Sequence, residues 1–489
     1  MEKLDLNVPR EAAQTCQTLQ NAGYEAYLVG GCVRDLLIGK VPKDWDITTN
    51  ARPEEIQGLF TETFYENEYG TVGIVTDSSD PSVKVIEATP YRVESIYSNA
   101  RHPDTVEFSR KLTDDLKRRD FTINALAYDP ISREIVDEHG GREDLARKTI
   151  ATVGDAIERF QEDALRTLRA IRLSAELNFS VSYETSDAIV KTADNLQKIS
   201  RERVRDEFTR ILESPRPMQA LYVAQRLGVL QYIATELEKG IKCEQNQAHS
   251  YDVFEHNLRA LQHAADNNWV LEVRLAALFH DIGKPYVRQW SDTKNDWTFH
   301  GHDLTGAKLV RSIMQNLKFS RETTDAVSNL VRWHMFFSDP DTVTISAVRR
   351  TINRVGRDHI QELLQLRMCD RIGTGRPKEQ PFRLRKYMSM VDEALRDPIS
   401  VGMLAIDGNT VIQAGETPGP RIGWVLHALL EDVLEDPGKN NSSYLISRAA
   451  DLLKLSNAEL KDIGEAGKER RDELELEKID ELRRKHKVN

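Results

Sequence analysis

Disulfide chemistry has little to work with in this chain. Four cysteines in 489 residues, Cys16, Cys32, Cys243 and Cys369, lie far apart without metal-type spacing and read as reduced core thiols. No apolar run reaches the length of a membrane span, and the opening MEKLDLNVPR lacks the apolar centre of a signal peptide. A cytoplasmic protein with no membrane partner is therefore expected. There is no overall surplus of positive charge either. The formal net charge is −11, so the whole chain does not announce a polyanion partner, although Lys117-Arg118-Arg119 is suited to meet phosphate locally. Internal repeats and low-complexity segments are missing. What is present, 40% hydrophobic and 30% charged residues, suits globular domains. The length exceeds one core, so about three or four domains are expected.

The most informative stretch is VGGCVRDLLIGKVPKDWD, residues 29–46. Trp45-Asp46-Ile47 reads as a strand, and on a strand Asp44 and Asp46 point to the same face. Two carboxylates that close repel unless a cation lies between them. Mg²⁺ takes such oxygen ligands and leaves positions open for substrate phosphates. Gly30 and Gly31 let the backbone approach a triphosphate, and the N–H groups opening the Val33–Ile38 helix face that anion. The pattern points to nucleotide-dependent phosphoryl chemistry. Glu87, in the strand-like KVIEAT, is a candidate third carboxylate beside the pair.

The first 150 residues or so alternate strand-like runs (26–29, 45–48, 71–75, 84–88) with helical ones (9–21, 53–60), a small mixed α/β domain. From Gly154 the spacing turns helical over 155–177, 184–196 and 201–212. Residues from Gln245 to about Tyr387 are also helical and hold most of the histidines. GETPGPRIG (415–423) punctuates the last part, and the tail from Asn457 reads as a charged, solvated helix.

Two further groups carry chemistry. Asp120 and Asn124 fall on one face of a helix at i, i+4, positioned for a ribose hydroxyl and a base edge, with Arg118 clamping a triphosphate. Asp163 and Arg166, early in a long helix and three residues apart, would offer an acceptor and a donor to the amine and ring nitrogen shared by cytosine and adenine. Helical Asp–Arg pairs are ordinarily weak surface ion pairs, so this reading leans on its company.

VGGCVRD…DWD, RRDFTINAL, RFQEDALRTLRAIR and ISRERVRDEF, in this order, resemble the class II tRNA nucleotidyltransferase and bacterial poly(A) polymerase superfamily over roughly residues 20–225. GETPGPRIG and its following helix resemble the C-terminal tRNA-binding part of CCA-adding enzymes. The resemblance implies an α+β chain: a small mixed α/β nucleotidyltransferase head (1–150), an all-α neck with the nucleotide-template helix (151–235), an HD domain (240–390) and a tRNA-binding helical region (391–489). It implies that Asp44 and Asp46 hold two catalytic Mg²⁺ ions. Gly30, Gly31, Arg34, Arg118, Asp120 and Asn124 would bind the nucleotide. Asp163 and Arg166 would template C and then A, with Glu162 bracing Arg166. The implied partners are the tRNA 3′ end, CTP and ATP, and no DNA.

His256, His280-Asp281, His302, His334 and Asp370 resemble the HD phosphohydrolase superfamily, with LFHDIGKP the most specific segment. His256, His280, Asp281 and Asp370 would hold one metal, and His302 and His334 a second ion or a phosphate. Imidazole and carboxylate suit Mn, Ni, Fe or Mg-type ions. One departure stands out in the family's flexible loop (94–103), where Asn99 and His102 replace the frequent Asp and Arg. The loop is full length, which argues against an enzyme confined to adding C. An A-adding enzyme, a poly(A) polymerase, and an HD phosphohydrolase with an RNA-docking head remain as alternatives. ValGluPheSer (106–109) does not resemble the basic motif that poly(A) polymerases usually carry there.

Overall fold

Short β-branched and apolar runs assemble into one mixed sheet. Its members are β1 (Ala26–Val29), β2 (Asp46–Thr49), β3 (Thr63–Tyr65), β4 (Val72–Val75) and β5 (Val85–Pro90). A hairpin, β6 (Arg92–Ser95) with β7 (Thr105–Phe108), stands apart, and β8 (Leu126–Asp129) and β9 (Glu134–Asp137) complete the sheet. The order is β3-β4-β5-β2-β1-β8-β9. Within this sheet only β2 and β5 pair in parallel, placing Asp46 opposite Glu87. Leu28, Ile47, Thr48, Thr49 and Ile86 are fully buried, so the middle of the sheet forms the core and its polar ends are left for the site. The computed structural model describes residues 3–65, 70–95, 105–247, 249–336 and 343–465. Asn99 and His102 lie outside the described residues, as does most of the charged tail, of which the Asn457–Glu465 helix is described.

The chain divides into two compact units, Met1–Ile233 and Ala234–Asn489. In the first, the sheet is followed by helices whose apolar spacing gives a packed bundle. The Leu165–Leu177 helix is buried on nearly every side, charged residues included. Arg172 donates from Nε to Glu207 at 2.8 Å and from Nη1 to Glu176 at 3.0 Å, so the buried cation is matched by two carboxylates.

The second unit is built from helices, Val253–Asp266, Leu271–Phe279, Arg321–Trp333 and Ile360–Gly373 among them. Its helical reading misses one feature, a small hairpin pairing Gln289–Ser291 with Asp296–Thr298. Trp290 and Trp297 face each other across it in an edge-on contact, which stabilises a pair too short to show a strand period in sequence. Further along, the Pro420–Glu435 helix packs Val425, Leu429 and Val433 into a local apolar cluster. Arg421 of GETPGPRIG donates to Glu416 at 2.8 Å and to the Leu453 and Leu455 carbonyls. That guanidinium ties local structure together. No helix among the described residues is long and apolar enough to cross a membrane.

Candidate active sites

The head site grows from the turn after β1. Gly30 adopts φ +81°, ψ −137°, a conformation essentially confined to glycine. A Cβ there would lie 3.2 Å from Arg119 Nη1 and 3.5 Å from Asp46 Oδ2. Gly31 opens the short Gly31–Leu37 helix. Strand β2 begins at Asp46, one residue later than expected, and Asp44 sits in an exposed bend before it. The two acids are thus not neighbours on one strand face. A bend, not a pleat, carries Asp44, because Pro42 and Lys43 precede it and only Trp45 and beyond join the ladder, through Glu87 N–H to the Trp45 carbonyl.

Burial first, then Glu87, pushes the Asp46 carboxyl up from 3.8 to about 6; Asp44 adds to this and Arg119 opposes it. Glu87, opposite Asp46 in the parallel pair, and Asp44 therefore both act on Asp46 at one sheet end. Such an excess of hard oxygen donors suits a divalent cation of the Mg²⁺ type.

Around this acidic end stands a network of arginines. Asp115 is fully buried and accepts from Arg118 (2.6 Å), Arg119 (3.0 Å) and the Thr48 hydroxyl (3.1 Å). Burial would raise its pKa, but Arg119 and Arg118 outweigh that and hold it low. Arg34 donates to Asn124 Oδ1 at 2.8 Å, and Asn124 donates to Asp120 Oδ1 at 3.3 Å. Arg169 pairs with Asp120 Oδ2 at 3.2 Å. Despite its burial, Asp120 is held below the usual range by Arg169 and Arg166. Asp120 and Asn124 thus meet as expected, but not on an α-helix. The preceding helix ends at Lys117, and a 3₁₀ turn, Thr122–Asn124, brings them together. β-branched Thr122 and Ile123 and the extended Phe121 disfavour α-helix there.

The long helix expected over 155–177 is also two helices. Ala156–Glu162 ends at Asp163, whose backbone is extended (φ −143°, ψ 104°), and Leu165–Leu177 follows. The Asp163 carboxylate ends the first helix and serves the next, accepting from Leu165 N at 3.0 Å. Its other oxygen accepts from Arg203 at 2.7 Å. Asp163 and Arg166 are therefore not a simple i, i+3 pair on one helix. Arg166 is buried and held by Glu162 at 2.5 Å, and Glu162 also pairs with Arg159. The sequence reading missed Asp115, Arg119, Arg169 and Arg203. Arg119 adjoins Arg118, and Arg203 lies within ISRERVRDEF, so their motifs were visible while their contacts were not.

The second site lies in the helical unit. Asp281 occupies its centre: Oδ2 is 3.0 Å from His256 Nε2 and 3.3 Å from His280 Nε2, while Oδ1 is 3.4 Å from His302 Nε2 and 3.6 Å from His334 Nε2. Asp370 Oδ1 stands 3.5 Å from His256 Nε2. Three of the rings are fixed in the same way. Nδ1 of His280, His302 and His334 contacts the carbonyl three residues earlier, Ala277, Phe299 and Val331, at 2.9, 2.7 and 2.6 Å. A carbonyl only accepts, so Nδ1 carries the proton and each Nε2 turns a lone pair toward the cluster, the tautomer a metal ligand needs.

Two glycines bring these helices together. A Cβ on Gly283 would lie 2.1 Å from the His302 carbonyl oxygen, and one on Gly373 would lie 2.9 Å from His256 Nδ1. Burial pushes His302 down to about 4, which keeps it a neutral donor. The six predicted residues thus converge. His249 joins them, lying with His256 and Asp281 in one group whose ligand atoms fall within 4.8 Å of one another. Lys284 Nζ also enters, 2.6 Å from Asp281 Oδ2. His249 escaped the sequence reading because it sits in irregular chain before a helix, where no period marks it.

A mixed sheet with a glycine turn and an acidic end, followed by arginine-bearing helices, defines a nucleotidyltransferase head. Family profiles agree: residues 26–151 match the Poly A polymerase head domain, 178–241 the probable RNA and SrmB-binding site of polymerase A, and 253–374 the HD domain. A CCA-adding enzyme of Leuconostoc mesenteroides is 46% identical over 86% of this chain and 91% of its own length. One from Levilactobacillus brevis is 31% identical over 90% and 97%. The crystal structure of the Bacillus stearothermophilus CCA-adding enzyme in complex with CTP superposes with a TM-score of 0.68 at 28% identity, covering 90% of this chain and 96% of that one. The Thermotoga maritima CCA-adding enzyme complexed with tRNA_CCA shares the fold, with a TM-score of 0.53 at 18% identity over 93% of this chain and all of that one. The chain belongs to the family of CCA-adding enzymes, tRNA nucleotidyltransferases of the poly(A) polymerase superfamily.

Proposed function

We propose that this chain adds C, C and A to the 3′ end of tRNA from CTP and ATP, without a nucleic-acid template, in the head (1–150) and neck (151–235). The observation that carries the reading is Asp46 set opposite Glu87 in the parallel pair, beside Gly30 and an arginine network at one sheet end. Asp44 and Asp46 hold Mg²⁺, and Glu87 adds negative charge beside them. When bound, Mg²⁺ acidifies the RNA terminal hydroxyl and neutralises charge on the departing pyrophosphate. Arg119, braced by Asp115 and lying beside Gly30, faces the triphosphate. Arg34, Asn124 and Asp120 form a preset chain of donors and acceptors for the ribose. Arg166, clamped by Glu162, and Asp163, clamped by Arg203, read the base edge; both clamps restrict rotation before the nucleotide arrives. Residues 391–489 bind tRNA through shape and phosphate, though Arg421 serves the fold there. The four buried, unpaired cysteines favour a reducing cytoplasm.

The deciding assay incubates end-trimmed tRNA with labelled CTP and ATP, offered singly and together. Ordered addition of two C and one A is expected. Addition of A alone, only to ends already carrying CC, would make it an A-adding enzyme, and long A tracts a poly(A) polymerase.

The histidine–aspartate cluster favours a second reading alongside the first, a metal-dependent phosphohydrolase in residues 240–390. His256, His280, Asp281 and Asp370 hold one divalent ion of the Mn, Ni or Fe type, and His302 and His334 a second ion or a phosphate. Phosphate release that survives Asp46→Asn and disappears in His280→Ala is expected; loss in both would tie the two sites to one reaction.

A further inference from the structure

One wall of the cavity over the histidine–aspartate cluster has no part in holding metal. Asp281, His302, His334 and Asp370 open onto a cavity of about 1150 Å³, far more than one phosphate fills and at the upper end of small-molecule sites. Arg371, Arg376 and Phe382 line the same cavity. Arg371 directly follows Asp370 near the end of the Ile360–Gly373 helix, and Arg376 lies in the turn beyond it. Arg371 starts one residue, about 1.5 Å of axial rise, beyond Asp370, and Arg376 follows three residues past the helix end. Arg367 is already matched by Asp370 at 3.0 Å. Arg371 donates from Nε to the Lys378 carbonyl at 2.6 Å, a neutral partner that orients the fork without cancelling its charge. A planar fork so placed suits phosphate. Phe382 is 69% exposed on the same wall, an aromatic face on which a base stacks.

We propose that the histidine–aspartate centre acts on nucleotides carrying two separate phosphate groups, one at the metal that Asp281, Asp370 and the histidines would hold and the other on Arg371 and Arg376, with the base against Phe382. The inference rests on the phosphohydrolase reading above. In the reaction the oxygen of water bonds to phosphorus and the bond from phosphorus to the ribose oxygen breaks. The ribose oxygen keeps the electron pair and takes one proton of the water, and inorganic phosphate leaves with the water oxygen.

The test compares uridine 3′,5′-bisphosphate with the two uridine monophosphates, because the Asp163–Arg166 edge in the head is not complementary to uracil. Two readouts are taken on the full chain: Kd by calorimetry without added metal, and KM for phosphate release with Mn²⁺. With Mn²⁺ the bisphosphate is expected to show a KM at least tenfold lower than either monophosphate, and without metal its Kd should rise at least tenfold in the Arg371→Ala, Arg376→Ala double variant. In the Arg371→Ala, Arg376→Ala double variant the preference should fall to within twofold, and the corresponding lysine variants should restore part of it. Equal KM values for bis- and monophosphates, a preference that survives the alanine variants, or a metal-free Kd that those variants leave unchanged would overturn the proposal while leaving the phosphohydrolase reading intact. If no uridine nucleotide releases phosphate, or release persists in His280→Ala, the phosphohydrolase reading fails and takes this one with it.

Discussion

Asp46→Asn should abolish nucleotide addition and yet make the metal-free protein more stable near neutral pH. Burial and the neighbouring Glu87 raise the Asp46 carboxyl from 3.8 to about 6, so the folded state holds this proton more tightly than the unfolded chain. The destabilisation is absent below the unfolded value of 3.8, grows as pH rises through the window up to about 6, and is complete above it. Two pH units correspond to about 3 kcal/mol. The side chain keeps some solvent contact, so screening reduces this to roughly 1–2 kcal/mol. At about 2–4 °C per kcal/mol for a unit of this size, the metal-free variant should melt roughly 2–8 °C higher at pH 7. The gain should shrink to about a fifth at pH 4, where the folded side chain is neutral and only the unfolded one is still partly ionised. Millimolar Mg²⁺ should raise the wild-type melting temperature, since an ion that binds only the folded state stabilises it, and should raise that of the variant less. The assay is differential scanning calorimetry of both proteins at pH 7 and pH 4, with chelator and with Mg²⁺. A metal-free variant no more stable than wild type at pH 7, or equally stabilised at pH 4, refutes the crowding of carboxylates on which the head site rests.

Gly30→Ala places a methyl group between Arg119 and Asp46 in a backbone conformation that disfavours it, at a cost of about 1–3 kcal/mol. Its CTP incorporation should fall at least tenfold, and wild-type incorporation with an unchanged melting temperature would show the turn to be relaxed. Glu162→Gln removes the charge that holds Arg166 at 2.5 Å; discrimination against UTP and GTP should weaken in kcat/KM ratios more than the CTP rate itself falls. Unaltered ratios would take Glu162 out of nucleotide choice. Glu207→Ala leaves Arg172 buried with only Glu176 opposite it, and removing one partner of a buried pair costs about 3–5 kcal/mol. Urea denaturation should show the loss, and a change below about 1 kcal/mol would mean that Glu176 or water suffices.

The residue types and their order were enough to place the chain in its family. Gly30 and Gly31, Asp44 and Asp46, the RRDFTINAL stretch and the HDIGKP segment mark phosphate, metal and nucleotide wherever the chain leads. Apolar spacing also placed the β1 strand at Ala26–Val29 and the Arg201–Glu213 helix to within a residue. Local periodicity failed where local and long-range forces compete. At Asp163 the side chain captures the Leu165 amide and an arginine forty residues away, and the helix breaks; no 3.6-residue pattern reports such a partner. Between Asp120 and Asn124 a 3₁₀ turn does the work assigned to a helix, because Arg34 and Arg169 hold the ends from elsewhere in the chain.

Linear order alone therefore decided which groups are available: carboxylates, guanidiniums and imidazoles of the kinds that cation and phosphate chemistry needs. Which of them meet was left to packing. Glu87 joins Asp46 only through the one parallel strand pairing in the sheet, and His256 reaches Asp370 only because Gly373 lets two helices approach within contact of their backbones. Pairing and close packing join residues tens to hundreds of positions apart. The free energy of those contacts exists only once the whole unit has folded, which is why no window of sequence could display it.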